Sequence, residues 1–391
     1  MGQKNTLPTA RHHWLAAMAD DPHKGIGDAI QGATPRQEKA REPRIGGTMS
    51  RLNWTLCSAL ALGMASIPGT ASATGPAVSY FDIKNPEDIA PIGETGMAIV
   101  SSFAPAVDGA APLYLLDLSG GHLTPLHAAY PDNTVMDGQC GAPEAPVHAH
   151  GIDIHPKSDG YYELLVVNHG GREAIEIYEI NMNGDGPTLA WTGCEIVPAK
   201  ISPNDVTALP DGAFAVSSFG MKDDPETVQK ILSGQPTGAI IEWTVSGGWH
   251  THDRTSFSGP NGVIASPDGT ALYVADWGTS SIHVLTRSDG SLRKLADLDF
   301  HPDNLSLTAD GHVVAAGQFG TPEEIWACVL SAEPRCDLPG RVASINPETG
   351  EVMTLIDTGD SYGAVSIGLV YGGTVWVGAF HDDRLARYRD E

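Results

Sequence analysis

The sequence predicts an all-β protein, a six-bladed β-propeller with one helix inserted over one face. Two observations of composition point to this class. The chain has 391 residues, including 45 glycines and 28 prolines, and only 18% of its residues are charged. This composition is typical of many short strands joined by tight turns, rather than of long helices or a disordered chain.

A third observation is a repeated strand plan, which is clearest at residues 260–285, PNGVIASPDGTALYVADWGTSSIHVL. This stretch contains an apolar run, a Pro-Asp-Gly turn, a second apolar run, a polar break and a third alternating run. Alternation interrupted by such turns indicates an antiparallel β-meander. The stretch therefore predicts one propeller blade.

Copies of the plan begin near residues 88, 150, 204, 261, 304 and 366, and a polar residue opens the first five. The period of roughly 40–60 residues suits blades of three or four strands. The turn glycine lies ten residues after the opening residue in the copy that starts at His150. It lies eight residues after it in the copies that start at Asp88, Asn204, Asn261 and Asp303.

The first 73 residues are predicted to lie outside the propeller. Residues 49–73 combine Arg51, a short apolar run and an Ala-Ser-Ala cleavage site, which together indicate a secretory signal rather than a membrane span. Residues 1–48 lack periodicity, and we interpret them as a non-native or disordered extension. The propeller domain is then expected at 74–391, in the periplasm or outside the cell.

Three further elements follow in chain order. The strand AVSYFDI at 77–83 is expected to close the ring against the last blade, because closure removes exposed strand edges. A helix is predicted from an N-cap at Asp224 to Gly234, with Ile231 on its apolar face. Residues 321–339 show no blade pattern and are expected to form a loop pinned by a disulfide.

Four cysteines remain beyond the predicted signal. An even number in an exported chain favours disulfides, although four cysteines allow three connectivities. Cys328 and Cys336 are eight residues apart in the expected loop, so we predict that they are bonded to each other. Cys140 would then pair with Cys194.

The chain carries a formal net charge of -25 and a pI of about 4.8. Such a surface argues against nucleic acid or an anionic membrane as partner, since both would repel it. A small molecule is the expected partner, and the sequence does not indicate an oligomeric state. Acidity is equally common among soluble secreted proteins.

Polar residues at the openings of different innermost strands should converge on one face of a propeller channel. Five such residues offer oxygen donors, two of them carboxylates, which favours Ca²⁺ over Zn²⁺. The alternative is that these residues only cap turns. The predicted ligands of this calcium ion are Glu87, Asn204, Asn261, Asp303 and Asn304. A second calcium ion is expected deeper in the channel, at Asp88, Asp205 and the Ile152 carbonyl.

Two histidines are predicted to meet beside the first metal. His150 begins a first strand, and His169 ends the antiparallel second strand of the same blade, so pairing returns it to the same face. One imidazole can then remove a proton from water while the other orients it or receives the proton. Asp303 or Glu87 could instead act as the base or the nucleophile. A further alternative is that a histidine stands at either position by chance, because the chain has 15 histidines.

The residues at these positions, taken in order, resemble those of the paraoxonases, calcium-dependent lactonases and arylesterases with a six-bladed propeller. The wider group includes the gluconolactonase and regucalcin type. The similarity spans about 86–388, and the motifs that carry it are Glu87-Asp88, His150-Gly151-Ile152, VVNH ending at His169, Asn204-Asp205, Asn261-Gly262 with SPDG and YVAD, Asp303-Asn304 and GTVWVGAFH.

The resemblance implies the same division of residues: the five listed oxygen donors for a catalytic calcium, the second set for a structural one, and the histidine pair for catalysis. It also places the helix of FGMKDDPETVQKIL over the active-site face. Two departures stand out. The family's cysteine link between the propeller ends has no partner before Cys140, and Gln318 with Phe319 differ from the expected pocket residues.

The sequence therefore favours a secreted calcium-dependent hydrolase of lactones, with aryl esters as a further substrate class. The metal would polarise the carbonyl, and histidine-activated water would attack it. One alternative is a gluconolactonase-type sugar-lactone hydrolase, which lacks the histidine pair. Another is a non-catalytic, calcium-stabilised propeller that binds a ligand, because a fold alone does not fix function.

Overall fold

A computed structural model of the chain describes residues 77–103, 112–130, 140–184, 186–222, 224–252 and 256–389. The predicted extension (1–48) and the predicted signal (49–73) lie outside these residues. The described chain forms six sheets whose strands are almost all antiparallel, which confirms the all-β class.

Six blades follow one another along the chain, and within each blade the strands run in order from the centre of the ring outwards, except that β6 adds an outer strand to blade 2 and β1 adds one to blade 6. The strands are β1 (Ala77–Asp82); β2 (Pro86–Pro91), β3 (Met97–Ser102), β4 (Leu113–Asp117) and β5 (Leu123–Pro125) in blade 1; β6 (Ala128–Ala129), β7 (Ala149–Ser158), β8 (Tyr161–Asn168), β9 (Ala174–Asn181) and β10 (Thr188–Ile196) in blade 2; β11 (Ile201–Ala208), β12 (Phe214–Met221), β13 (Ala239–Thr244) and β14 (Gly248–Thr251) in blade 3; β15 (Pro260–Ala265), β16 (Ala271–Asp276), β17 (Ser281–Thr286) and β18 (Ser291–Asp297) in blade 4; β19 (His301–Leu307), β20 (Val313–Gln318), β21 (Gly340–Ile345) and β22 (Val352–Asp357) in blade 5; and β23 (Val365–Tyr371), β24 (Thr374–Ala379) and β25 (Arg384–Arg389) in blade 6.

The innermost strands β2, β7, β11, β15, β19 and β23 contact one another in a closed cycle. This cycle confirms the six-bladed propeller. We call the face at which these strands begin the entry face. Second strands run antiparallel to the first and end at the entry face, so residues at both places lie near each other.

Strand β1 completes blade 6 and closes the ring, as predicted. It pairs antiparallel with β25 over six residues, from Ala77 opposite Arg389 to Asp82 opposite Arg384. The Phe81 ring lies 5.2 Å from Trp376, and the Arg387 guanidinium stacks on both rings. Ring closure therefore depends on strand pairing and on this packing.

Tight turns follow the innermost strands where the repeat predicts them. In blades 4 and 5 the turn residues Gly269 and Gly311 have φ values of +67° and +84°. Residues with a Cβ rarely adopt this left-handed conformation, which explains the recurring glycine. Short 3₁₀ turns lie at Pro210–Gly212, Trp277–Thr279 and Gly359–Ser361.

Two helices lie at the entry face, since each follows a second strand. Helix α1 (Thr227–Leu232) comes between β12 and β13, and its N-cap is Glu226. The predicted helix is therefore present but begins later than the expected N-cap at Asp224. The Asp224 side chain instead accepts a hydrogen bond from the Glu226 N–H and pairs with Lys230.

Helix α2 (Pro322–Val329) lies between β20 and β21, where the sequence analysis expected only a loop. That expectation was wrong for the first part of 321–339. Thr321 and Glu324 form a reciprocal capping box, and Pro322 occupies the first turn, which together start a helix. The two helices contact each other, and Ile231 and Ile325 pack in one apolar cluster with Phe219 and Trp277.

Both predicted disulfides are present. Cys140 is bonded to Cys194 on β10, and Cys328 in α2 is bonded to Cys336. All four cysteines of the described residues are thus used within blades 2 and 5, so none joins the propeller ends. The described helices include none with the length and apolarity needed to cross a membrane.

Candidate functional site

The five predicted ligands of the first calcium ion lie on four innermost strands around the channel. All are buried, with exposed fractions between 1% and 9%. We call them the oxygen cluster: Glu87 on β2, Asn204 on β11, Asn261 on β15, and Asp303 and Asn304 on β19. The structure therefore brings together residues that are up to 217 positions apart in the sequence, since the Asn304 amide donates to Glu87 Oε1 at 2.6 Å.

Irregular pairing aims these side chains into the channel. On β2, β11, β15 and β19 the register with the second strand shifts at the ligand positions, for example between Pro260 and Val263. Such bulges turn side chains out of the regular alternation. A proline precedes the first ligand on each of these strands, as Pro260 precedes Asn261, where a ladder N–H is not required.

The blades approach closely at this level because glycines follow two site residues. A Cβ on Gly262 would lie 2.6 Å from the Asp303 carbonyl oxygen, and one on Gly151 would lie 2.4 Å from Asp205 Oδ1. Both distances are shorter than any ordinary contact. These two glycines therefore let neighbouring strands bring their polar groups into one small volume.

Four side-chain oxygens of the oxygen cluster are buried without a hydrogen-bond partner. They are Glu87 Oε2, Asn204 Oδ1, Asn261 Oδ1 and Asn304 Oδ1. An unsatisfied buried polar atom costs about 1–3 kcal/mol, so four at one place require an explanation. A hard cation with six to eight oxygen ligands satisfies all four together, and the donor set fits Ca²⁺.

The electrostatics of the carboxylates agree with a cation. Burial raises the pKa of Asp303 to about 7, against hydrogen bonds from Gln318 and Asn261. Burial, followed by repulsion from Asp88 and Asp303, raises the pKa of Glu87 well above its usual value. A bound cation would reverse this penalty, because it stabilises the ionised forms.

The second predicted set also converges. Asp88 Oδ2 accepts a hydrogen bond from the Ile152 N–H at 2.8 Å, and Asp205 Oδ2 accepts one from the Val263 N–H at 2.7 Å. Burial raises the pKa of Asp88 to about 7. Burial and the negative charge of Asp88 raise the pKa of Asp205 well above its usual value.

Each of these aspartates also links two blades, and the sequence analysis missed a third one, Asp153. Its Oδ2 accepts a hydrogen bond from the Ala208 N–H at 2.7 Å, while Oδ1 accepts one from the next residue in its own strand. The signal in the sequence was an aspartate three positions after His150. The interblade hydrogen bonds show that such an aspartate can stabilise the ring without a metal.

The predicted histidine pair forms beside the oxygen cluster. His150 Nδ1 lies 3.0 Å from His169 Nε2, and His150 Nε2 lies 3.7 Å from Glu87 Oε1. The Phe103 ring stacks on His150 with centroids 4.3 Å apart. Burial and the neighbouring His169 lower the pKa of His150, so this imidazole is neutral at pH 7 and can accept a proton.

The sequence analysis missed the partner of His169. Glu173 Oε2 lies 2.6 Å from His169 Nδ1, and Lys222 Nζ donates to Glu173 Oε1 at 3.2 Å. Glu173 is four residues after His169, in the connection between β8 and β9. Only the fold of that connection turns its carboxylate back towards the imidazole.

Gln318, noted in the sequence as a departure, holds Asp303 in place. Its Nε2 donates to Asp303 Oδ2 and to the Val365 carbonyl, both at 2.5 Å. Its Oε1 accepts a hydrogen bond from Trp277 Nε1 at 3.1 Å. One oxygen of Asp303 is thus fixed within the oxygen cluster, while Trp277 connects the site to the apolar cluster next to the helices.

A separate group with metal-ligating chemistry lies on the outer strands of blade 3. Ligand atoms of Glu242, His250 and His252 lie within 4.8 Å of one another. Glu242 Oε1 and Oε2 each accept a hydrogen bond from Arg287 at 2.9 Å, and His252 Nε2 lies 2.7 Å from Oε1. Because Arg287 engages both oxygens, the group serves as an ion-pair cluster between blades 3 and 4.

Comparison with known proteins establishes the family. Residues 106–368 match the family model described as the SMP-30/Gluconolactonase/LRE-like region. Since the match covers more than half of the chain, the protein belongs to this family. A solved structure of a luciferin-regenerating enzyme has the same fold, with a TM-score of 0.51 and 16% identity over 81% of this chain and 96% of that one.

Curated relatives are similar at low identity. Human "Serum paraoxonase/arylesterase 2" is 25% identical over 251 residues, or 62% of this chain and 68% of its own length. Human "Serum paraoxonase/lactonase 3" is 24% identical over 310 residues, or 73% of this chain and 81% of its own length. The predicted relationship to the paraoxonases within this larger group is thereby confirmed.

Proposed function

We propose that the protein is an exported calcium-dependent hydrolase that opens lactones. The observation that carries the proposal is the set of four buried, unpaired oxygens, which lies beside a histidine pair whose first imidazole is neutral. Turn capping would satisfy such oxygens locally and would not explain their convergence from four blades. A purely ligand-binding propeller would not explain the adjacent base.

Glu87, Asn204, Asn261, Asp303 and Asn304 would hold the catalytic calcium. When bound there, Ca²⁺ would polarise a substrate carbonyl and stabilise the oxyanion that develops on it. Asn304 orients Glu87 through its amide, and Gln318 orients Asp303. These fixed side chains require little rearrangement during the reaction, which is the condition for strong electrostatic stabilisation.

His150 would remove the proton from the attacking water through Nε2, the ring nitrogen nearest Glu87. His169 would receive charge through the hydrogen bond to Nδ1, which supports the developing imidazolium. Asp303 or Glu87 would be the base only if they ionised next to the metal and faced the water. The position of His150 makes it the stronger candidate.

A second calcium at Asp88, Asp205 and the Ile152 carbonyl would have a structural role. Support comes from the burial of both carboxylates and their mutual repulsion, which a divalent ion would relieve. Each oxygen that already accepts an N–H keeps a further lone pair for a metal. Two calcium ions per chain are therefore proposed.

The proposed substrate class rests on the relatives. The nearby cluster of Phe219, Trp277 and Ile325 is buried, so it supports the entry face and presents no surface that would select a substrate. The relatives named paraoxonase/arylesterase and paraoxonase/lactonase favour lactones first and aryl esters second. Sugar lactones remain the second candidate, because the family description names gluconolactonase.

Export to the periplasm or the medium is supported by the two disulfides, which persist in oxidising compartments. We expect secreted material to begin at Thr74, after the predicted signal. Mass analysis of the N-terminus tests this expectation. A secreted form that retains residues 1–44 would contradict it.

The decisive experiment compares turnover of aliphatic lactones, aryl esters and sugar lactones with calcium and with excess chelator. We expect calcium-dependent hydrolysis that is fastest for aliphatic lactones. Asn261→Ala should abolish it, whereas His250→Ala, on the outer ion-pair cluster, should not. Turnover that survives complete calcium removal would overturn the proposal, as would calcium binding with no turnover of any substrate.

A further inference from the structure

We propose that Glu173 is a positioning residue that sets the tautomers of both histidines and so leaves the lone pair of His150 Nε2 facing the oxygen cluster. This inference rests on the proposed function and adds residues to it. Its structural basis is one continuous chain of contacts: Lys222 Nζ to Glu173 Oε1 at 3.2 Å, Glu173 Oε2 to His169 Nδ1 at 2.6 Å, and His169 Nε2 to His150 Nδ1 at 3.0 Å.

The direction of the hydrogen bonds follows from the donors available. A carboxylate only accepts, so His169 Nδ1 must carry the proton that points to Glu173. A neutral imidazole has one N–H and one lone pair, so His169 Nε2 then accepts. His150 Nδ1 must donate to it, and His150 Nε2 is left as the acceptor, 3.7 Å from Glu87 Oε1.

The charge on Glu173 keeps this order fixed. Burial alone would raise the pKa of Glu173, but the hydrogen bond from His169 and the neighbouring Lys222 lower it. Lys222 directly follows β12 and Glu173 lies in the β8–β9 connection, so blades 2 and 3 both hold the carboxylate. Glu173 and Lys222 also line a cavity of about 530 Å³ between the same blades, which gives this end of the chain access to solvent.

When His150 takes a proton from water at Nε2, the proton on Nδ1 can pass to His169 Nε2. The proton on His169 Nδ1 moves towards Glu173 in the same event, while the water oxygen that lost its proton bonds to the substrate carbonyl carbon and the carbonyl electron pair moves to the carbonyl oxygen. The positive charge is thereby spread towards the solvent-facing carboxylate and away from the metal. An imidazole without this partner would have to keep the charge next to the calcium.

Glu173→Gln gives the sharpest test, because it preserves size but adds a donor. Lys222 can only donate, so it should retain the carboxamide oxygen and turn the NH₂ group towards His169 Nδ1. Both histidines would then reverse their tautomers, and His150 Nε2 would carry a proton. We expect kcat for lactones to fall about 10²–10⁴-fold, with KM and calcium affinity unchanged.

A second substitution should restore activity if this reasoning is correct. In Glu173→Gln/Lys222→Met the carboxamide is free to turn, so its oxygen can accept from His169 Nδ1. The double variant should therefore be about tenfold or more faster than the single variant, a rescue that a merely structural role would not produce. Glu163→Gln is the matched control, since Glu163 pairs with Lys157 in the same blade; it should leave kcat unchanged.

Nitrogen-15 NMR of histidine-labelled, calcium-loaded full-length protein reads the tautomers directly, with signals assigned through His150→Gln and His169→Gln. We expect Nδ1–H on both rings in the parent and Nε2–H on both in Glu173→Gln. A parent with Nε2–H on either ring, or a double variant no faster than the single one, would overturn the inference. A parent without lactone turnover would instead overturn the proposed function and leave the tautomer result standing.

Discussion

The histidine pair and the oxygen cluster meet where His150 Nε2 lies 3.7 Å from Glu87 Oε1. On one side, oxygen atoms from four blades remain unpaired, which suits a cation. On the other, two imidazoles are hydrogen-bonded in series, which suits proton transfer. Substitutions on the two sides should therefore have separable effects on metal binding and on turnover.

His150→Gln and His169→Gln should spare folding and calcium affinity but lower lactone turnover by about ten- to ten-thousandfold, the usual range for general acid-base catalysis. The reason is that neither imidazole belongs to the oxygen cluster. Steady-state kinetics with parallel calcium titrations measures both effects. If His150→Gln lost calcium instead, the imidazole would be a ligand. If it kept the parent's rate, the base would be Glu87 or Asp303.

Stability should depend on pH in a way that calcium changes. Asp88 and Asp303 have pKa values of about 7 in the fold, against an ordinary value of 3.8. A raised folded-state pKa gives stability that is complete below the unfolded pKa and is lost as pH rises through the folded value. Without metal, these groups should therefore destabilise the protein between about pH 4 and pH 7.

The proposed calcium ion would replace the missing protons, so its contribution to stability should grow over the same interval. We expect the calcium-induced rise in Tm to be clearly larger near about pH 8 than near about pH 5. Scanning calorimetry with calcium and with chelator at both pH values measures this. Equal shifts at the two pH values would show that these carboxylates do not hold the ion.

Residues that repeat with the blades could be predicted from the sequence, because the period fixes where a strand begins. Glu87, Asn204 and Asn261 are of this kind. Glu173 and Gln318 could not be predicted, since their partners depend on how a connection turns and on which strand follows. No periodic pattern carries that information.

The innermost strands combine three devices that place side chains in the channel. Each strand of the oxygen cluster has a proline before its first ligand and a break in register beside it, and glycines such as Gly262 allow close approach of the next blade. Regular strands would point alternate residues into the blades. The irregularity is thus a requirement of the site.

Helix α2 shows what a capping signal contributes to an element. Thr321→Ala should remove the hydrogen bond to the Glu324 N–H and cost about 1 kcal/mol of stability, the typical value for an N-cap. Urea unfolding measures the change, and hydrogen exchange in Pro322–Val329 locates it. Glu323→Ala, in the same turn but outside the capping box, should cost less. Equal costs would contradict the capping role.

The sequence contained that signal, Thr-Pro-Glu-Glu, but its proximity to the two cysteines favoured the interpretation of a loop. Helix α1 was predicted and found, with an N-cap two residues later than expected. Helix boundaries depend on local hydrogen bonds such as the one that Asp224 makes with Glu226, which compete with capping. Strands of the repeat were easier to predict because each is fixed by two turns.

The whole molecule is a ring of six blades. It is closed at one seam by the pairing of β1 with β25, and its innermost strands contact one another around the central channel. The seam has six residue pairs and the packing of Phe81, Trp376 and Arg387. The centre has buried carboxylates from four blades, which repel one another in the absence of a cation. The proposed calcium ion would therefore connect blades that are far apart along the chain.

The central claim is that the buried oxygen cluster holds calcium for catalysis. Calorimetric titration of calcium into metal-stripped protein, with lactone turnover measured at each addition, tests it most directly. We predict two binding events in the parent, turnover that rises with one of them, and loss of that event together with turnover in Asn261→Ala. A parent that takes up no calcium, or an Asn261→Ala variant that binds and turns over like the parent, would contradict the claim.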